Sequence, residues 1–317
     1  MKNSWRQLEA WGTELKNNPF TLARVRTTAF GVLLVLLTLL ADKILQLNQA
    51  GILVYVLVLL VVGIISYIIS SRTLSTIQHI LRAQKRFIAD ASHELRTPLA
   101  IIKTSSEITL LSGDHIDPKE AKENLHSTVE EVDRMSKIIE SLLVLSYYES
   151  QAGEIKLEKI DVSKLVVKTM DKIKNIAKKK SIDLRILNTD SCFMLGSPVA
   201  IEQIVMNLVK NSIAYTPPRG WVRISVTARN SIIRKLNLIE LEVKDNGIGI
   251  GQEDLANVFN PFYKADRVRD PLEQESSGLG LTIVKKIVER HNGSISINSA
   301  LGKGTTITIT FPSYQPA

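Results

Sequence analysis

Gly51 to Ser71 contain no charged residue, a run of about the 20 residues that a helix needs to cross a bilayer. Upstream, Thr27 to Ala41 is also charge-free and rich in Leu and Val, and Ile44, Leu45 and Leu47 can extend it past Asp42 and Lys43. Residues 27–71 are therefore expected to form a transmembrane helical hairpin. Arg24 and Arg26 precede the first span, Arg72, Arg82, Lys85 and Arg86 follow the second, and the loop carries only Asp42 and Lys43. Basic residues accumulate on the cytoplasmic side of spans. The expected topology is multi-pass in the cell (inner) membrane with both termini cytoplasmic. The same flanks account for much of the net charge of +8, so no nucleic acid partner is expected. A signal peptide fits poorly, because a long polar stretch precedes the first run and no small-residue cleavage pattern follows it. Residues 1–26 place Trp5, Leu8, Gly12 and Leu15 on one helical face, which suits an interfacial helix or, equally, a poorly ordered tail.

Residues 72–152 change period. Leu74, Ile77, Leu81, Ile88, Ala91 and Leu95, with Gln84 in the missing slot, alternate three and four apart as a heptad seam does. On that register His93 lies two positions past Ala91, on the outer face. Glu94 follows directly. An exposed imidazole is a nucleophile, and a neighbouring carboxylate can hold or accept the proton of its other nitrogen. Pro98 lacks a backbone donor and is expected to bend the helix. After a turn around residues 112–118, Asp117 is a candidate N-cap with Pro118 at the first helical position. A second helix to about Tyr148 then carries Leu125, Val132, Met135, Ile139 and Leu142 on one side. Two such antiparallel helices leave a narrow apolar seam that a second copy would cover, giving a four-helix bundle. A lone His is more often structural than catalytic, and His79, His115, His126 and His291 take that reading.

Residues 153–317 mix helices with β-rich runs at Trp221–Ala228, Leu238–Lys244, Ser294–Asn298 and Thr305–Phe311, as in an antiparallel sheet covered by helices on one side. Ile201 to Tyr215 reads as a helix with Asn207 and Asn211 four apart on one face; their side-chain oxygens suit a hard cation that also touches phosphates. Asp245 ends a strand, and Gly247 and Gly249 permit close approach of backbone to ligand, although Asn-Gly is also a common turn. A long loop with Phe259, Phe262, Tyr263 and Lys264 follows, a length that marks function or mobility. Gly278-Leu279-Gly280 then opens an apolar helix whose N-terminus offers free N–H groups to an anion. Cys192 is the only cysteine, which excludes an intrachain disulfide and leaves a small buried hydrophobe.

The order Ser92-His93-Glu94-Leu95-Arg96-Thr97-Pro98, the Asn pair, Asp245-Asn246-Gly247-Ile248-Gly249 and Gly278-Leu279-Gly280-Leu281 resembles the sensor histidine kinases of bacterial two-component signalling. The likeness covers about residues 80 to 312. It implies a multi-domain membrane protein whose C-terminal part is the α/β sandwich (Bergerat-type ATP-binding fold) shared by gyrases, chaperones and mismatch-repair ATPases. It implies ATP and Mg²⁺ as cofactors, His93 as the phosphorylated residue, and Thr97 as the group orienting water that hydrolyses a phosphorylated regulator. Asn207 and Asn211 become the metal-binding pair, Tyr215 lies along the nucleotide and Asp245 accepts the adenine amino proton. Lys264 stands near the phosphates in a lid hinged on the aromatics. Gly278, Leu279 and Gly280 hold the triphosphate, and Thr305 helps hold the base through water.

The implied partners are a second copy of the chain, giving a homodimer, and a cognate response regulator with a phosphorylatable Asp. With so short an external loop, the stimulus is expected to act on the spans in the lipid bilayer, on the loop or through a membrane partner protein. No receiver domain is expected, as the chain ends just after Phe311. Two departures stand out: Ala214 replaces a frequent basic residue, and Ser276 replaces a frequent glycine. They motivate one alternative, a catalytically decayed membrane signalling scaffold; a superfamily ATPase acting as a conformational machine is another.

Overall fold

The computed structural model describes residues 30, 33–34, 37, 49–112, 117–150, 156–231, 236–264 and 277–314. Contacts divide the chain into two compact units, Met1–Ala89 and Asp90–Ala317. In the first unit, the described side chains of Leu57, Leu60, Val61 and Ile64 are exposed. Among the described residues no helix is long and apolar enough to cross a membrane. Most of the first expected span, many side chains of the second, and the interfacial helix expected over residues 1–26 lie outside the described residues.

Helix α1 spans Gln49–Ser112 and continues through Pro98, so the missing donor does not end it. Helix α2 spans Pro118–Glu149, and its N-cap Asp117 accepts from Lys119 N at 3.0 Å with Pro118 at the first turn. Asn124 Nδ2 donates to Thr109 Oγ1 at 3.3 Å, joining the two helices near the turn. Leu99, Ile108, Leu125, Val132, Ile139 and Leu143 are exposed. The buried stripe of α2 is a different one, Ile138, Leu145 and Tyr148.

The rest of the second unit is an α/β sandwich. Strand β1 (Glu158–Asp161), helix α3 (Val162–Lys179), strands β2 (Asp183–Thr189) and β3 (Phe193–Gly196), and helix α4 (Pro198–Tyr215) come first. Strands β4 (Trp221–Ser231) and β5 (Leu236–Asp245), the short helix α5 (Gln252–Leu255), helix α6 (Gly280–Arg290), and strands β6 (Ser294–Ser299) and β7 (Thr305–Pro312) complete it. β1 pairs with β3, and the main sheet has the order β2-β4-β5-β7-β6. The four expected strands, β4 to β7, pair antiparallel, and β2, which the periodicity did not single out, adds to β4 in parallel. A helix stands between β2 and β4, long enough to return the chain to the same end of the sheet. Strand periodicity carries no information on that direction.

One sheet face is apolar by simple alternation: Val222, Ile224 and Val226, then Ile239, Leu241 and Val243, then Ile307, Ile309 and Phe311 are all buried. Helices α3, α4 and α6 cover it with Val166, Met170, Ile173, Ile204, Leu208, Val284 and Ile287. Each such side chain contributes about 1.5–3 kcal/mol by leaving water. Ser197 caps α4 through Ala200 N at 3.4 Å, and Asp161 caps α3 through Lys164 N at 3.2 Å. His291, 3% exposed, ties two elements. Its Nε2 accepts from Ser197 N at 3.1 Å and its Nδ1 meets Ile287 O at 2.8 Å, so Nδ1 carries the proton. His291 is thus structural, and Cys192 is buried, both as expected. Helix α2 packs along α6, with Lys286 Nζ 4.0 Å from Glu149 Oε1.

Candidate nucleotide and phosphoacceptor site

Asp245 closes β5 and is 6% exposed. Its Oδ1 accepts from Gly247 N at 2.9 Å and Thr305 N at 3.1 Å, and its Oδ2 accepts from Ser212 Oγ at 2.9 Å. Burial raises its pKa, and the three donors oppose that shift. Glycines make this convergence sterically feasible. A Cβ on Gly304 (φ +80°) would sit 2.1 Å from Asp245 O, and one on Gly249 (φ +70°) would sit 2.0 Å from Ala300 O. Gly247 meets Tyr215 O in the same way, at 2.5 Å, and Ile248 N donates to Tyr215 O at 3.1 Å. A side chain at either glycine would therefore collide with protein backbone. Thr305 contributes its amide to Asp245, and its hydroxyl pairs with Ser299 Oγ at 3.0 Å.

Asn207 and Asn211 share one face of α4 and meet the start of α6. Asn207 Nδ2 donates to Gly280 O at 3.4 Å, and its Oδ1 faces Gln203 Nε2 at 3.5 Å. A Cβ on Gly280 would lie 3.8 Å from both Asn207 Cγ and Asn211 Nδ2. The Leu279 cap of α6 makes no side-chain hydrogen bond to the helix, and its own side chain is fully buried; only its backbone can serve an anion. Among the described residues no group of three or more His, Cys, Asp or Glu could hold a metal alone. Two neutral Asn side chains beside a helix N-terminus fit a phosphate-bound Mg²⁺, which needs few protein oxygens beside phosphates and water.

The long loop is pinned at both ends. Phe262 (φ +61°) donates its N–H to Gly278 O at 3.1 Å, and Gly278 (φ +70°) lies where a Cβ would meet Phe262 backbone at 2.7 Å. Tyr263 Oη donates to Asp254 Oδ1 at 2.6 Å, and Thr282 Oγ1 donates to Phe259 O at 3.0 Å. Residues 265–276, with the Ser276 departure, lie outside the described residues. The carbonyl of the other departure, Ala214, accepts from Lys180 Nζ.

Lys264, at the root of this loop, donates from Nζ to Glu94 Oε2 at 3.1 Å. The two side chains are 34% and 24% exposed. His93 is exposed beside them, and Thr97 Oγ1 donates to His93 O at 3.4 Å. The structure thus gathers Asn207, Asn211 and Gly280 at one point, Asp245, Gly247 and Thr305 at a second, and Glu94 with Lys264 at a third. Sequence reasoning missed Ser212 and the link between Lys264 and Glu94. The signal for Ser212 was a hydroxyl at an apolar position, four residues after Leu208 on the buried stripe of α4.

Residues 83–151 match the His Kinase A (phospho-acceptor) domain, and residues 196–315 match the histidine kinase-, DNA gyrase B- and HSP90-like ATPase. Sensor protein kinase PmrB of Pseudomonas aeruginosa is 33% identical over 239 residues, 74% of this chain and 47% of that protein. Sensor protein kinase WalK of Staphylococcus saprophyticus is 34% identical over 235 residues, 74% of this chain and 37% of that protein. The chain spans about half or less of the length of these curated relatives. Two solved structures share the fold. Acinetobacter baumannii histidine kinase AdeS has a TM-score of 0.56 at 24% identity, covering 70% of this chain and 98% of that one. Histidine kinase ThkA, solved in complex with response regulator protein TrrA, has a TM-score of 0.58 at 21% identity, covering 75% of this chain and 64% of that one. With a phospho-acceptor helical hairpin followed by a histidine kinase-like ATPase sandwich, the chain belongs to the two-component sensor histidine kinases.

Proposed function

We propose that this protein autophosphorylates His93 from Mg·ATP and passes the phosphoryl group to an Asp of a separate response regulator, and that it also acts as the regulator's phosphatase. The observation that carries this reading is the Lys264–Glu94 pair, which sets the root of the long loop beside an exposed His93. A neutral His93 nitrogen attacks the γ-phosphorus, the bond from that phosphorus to the bridging oxygen breaks, and ADP leaves with the electron pair. The proton on the other ring nitrogen passes to Glu94. Asp245 accepts the adenine amino group, Tyr215 lies along the nucleotide, and Gly278, Leu279 and Gly280 offer backbone amides to the phosphates. Asn207 and Asn211 would hold Mg²⁺, which when bound would offset the negative charge of the phosphates. Positioning and charge neutralisation supply most of the catalysis in such transfers. Thr97 orients the water that attacks the phosphoryl-aspartate of the regulator, releasing inorganic phosphate and the free carboxylate, and Thr305 supports the base through water.

The working unit is a homodimer, supported by the exposed apolar seam Leu99, Ile108, Leu125, Val132, Ile139 and Leu143. Membrane insertion through residues 27–71 is supported by the charge-free run Gly51 to Ser71 and the basic flanks. That hairpin is multi-pass in the cell membrane with both termini cytoplasmic, and it receives its stimulus from lipid, loop or a membrane partner. The complex of ThkA with TrrA supports a regulator partner.

Incubating the protein with γ-labelled ATP and Mg²⁺ tests the reading. Acid-labile, alkali-stable label that disappears in His93→Gln supports it. Bound nucleotide without label identifies a decayed scaffold, and ATP turnover indifferent to His93→Gln identifies a conformational ATPase.

A further inference from the structure

Ser212 stands one residue after Asn211, on the stripe of α4 that otherwise carries Ile201, Ile204, Val205, Leu208 and Ile213 into the core. It is 6% exposed. A buried hydroxyl among aliphatic side chains costs stability unless it is hydrogen-bonded, and Ser212 Oγ spends its proton on Asp245 Oδ2 at 2.9 Å. A carboxylate has about four acceptor sites. The Gly247 and Thr305 amides take Oδ1 at 2.9 and 3.1 Å, and Ser212 takes one of the two sites on Oδ2. One Oδ2 site remains for a ligand.

We propose that Ser212 is a positioning residue for purine recognition, which fixes the plane of the Asp245 carboxylate and keeps it a pure acceptor for a 6-amino group. Donors on both oxygens stop the carboxylate from turning about its Cβ–Cγ bond. They also favour its ionised form, opposing the upward pKa shift that burial imposes. A protonated Asp245 would present an O–H where an amino group needs a lone pair. The Ser212 hydroxyl thus raises affinity only for ligands with a donor at the purine 6-position. The inference rests on Asp245 being the base-contacting residue.

A cycle between the hydroxyl and the ligand's amino group tests it. Binding of MgADP and of the Mg²⁺ complex of purine riboside diphosphate, which lacks the 6-amino group, is measured on the full chain for wild type, Ser212→Ala, Ser212→Cys and Asp245→Asn. Loss of a hydrogen bond to a charged group predicts that Ser212→Ala weakens ADP on the order of tenfold. The same substitution leaves the analogue within about twofold, the range of neutral surface changes. Ser212→Cys, close in size with a weaker donor, should fall between. Equal weakening of both ligands, or no weakening of ADP, overturns the proposal, since a packing role is blind to the amino group. Asp245→Asn reports on the underlying reading separately. If it leaves the preference for ADP intact, Asp245 is not the base contact, whatever Ser212 does.

Discussion

Lys264 Nζ lies 3.1 Å from Glu94 Oε2, bridging 170 residues of sequence between the loop that precedes α6 and the carboxylate next to His93. In the proposed transfer the ammonium is shared between Glu94 and the phosphate oxygens, and Glu94 takes the His93 proton once Lys264 has moved to the phosphates. A partly exposed pair of this kind is worth about 0–1 kcal/mol, weak enough to exchange during turnover. Lys264→Gln is therefore expected to lower labelling of His93 on the order of tenfold or more, as loss of a preorganised donor does. The melting temperature should move by less than about 4 °C. Unchanged labelling would reduce the pair to a packing contact.

Gly304 is the steric condition for the Asp245 site. Its φ is +80°, and a Cβ there would come within 2.1 Å of Asp245 O, which leaves no room for a side chain. Gly304→Ala is expected to cost at least about 1–3 kcal/mol from strain alone. It should also pull the Thr305 amide off Asp245, so urea unfolding and nucleotide affinity should weaken together. A variant that binds ADP normally would show the two strands tolerate separation.

His291 predicts an acid-sensitive sandwich. Burial holds its pKa below the ordinary value of 6.5, and its Nε2 is an acceptor for Ser197 N. In the unfolded chain His291 takes a proton as pH falls through about 6.5, whereas the folded protein resists it. The unfolded state thus binds more protons there, and stability falls with decreasing pH below 6.5 until the lower folded pKa is passed. Above that range the contribution is complete. Urea midpoints at pH 7.5 and 5.5 should differ for wild type, and the difference should shrink in His291→Gln; equal slopes in both would assign the acid effect elsewhere.

Ile139 is 46% exposed on the seam of α2. Ile139→Lys should convert a dimer to a monomer in light scattering, because burying an unpaired ammonium in the bundle is costly. The unfolding of the ATPase sandwich should change by no more than about 0.5 kcal/mol, as surface substitutions do. A variant that stays dimeric would place the partner surface on another face.

Much of the site is legible in the residues themselves. The spacing of Asn207 and Asn211, the position of Asp245 at a strand end, and the exposure of His93 two places off a core position follow from helix and strand periods, which are local properties of the chain. The capping of α2 by Asp117 and Pro118 is equally local. The parallel pairing of β2 with β4 is not legible, since alternation is the same in either direction. The stripe of α2 that packs within the chain, Ile138, Leu145 and Tyr148, is not legible either: these residues are no more apolar than Leu125, Val132 and Ile139, which stay exposed as the expected seam does.

Sequence alone determined the kinds of chemistry and the elements that carry them, because residue identity and short-range periodicity need no knowledge of distant neighbours. Tertiary structure alone decided which groups meet: Ser212 with Asp245, Lys264 with Glu94, His291 with Ser197. Those pairs are 33, 170 and 94 residues apart, and only packing between elements distant in sequence brings donors and acceptors within hydrogen-bonding distance.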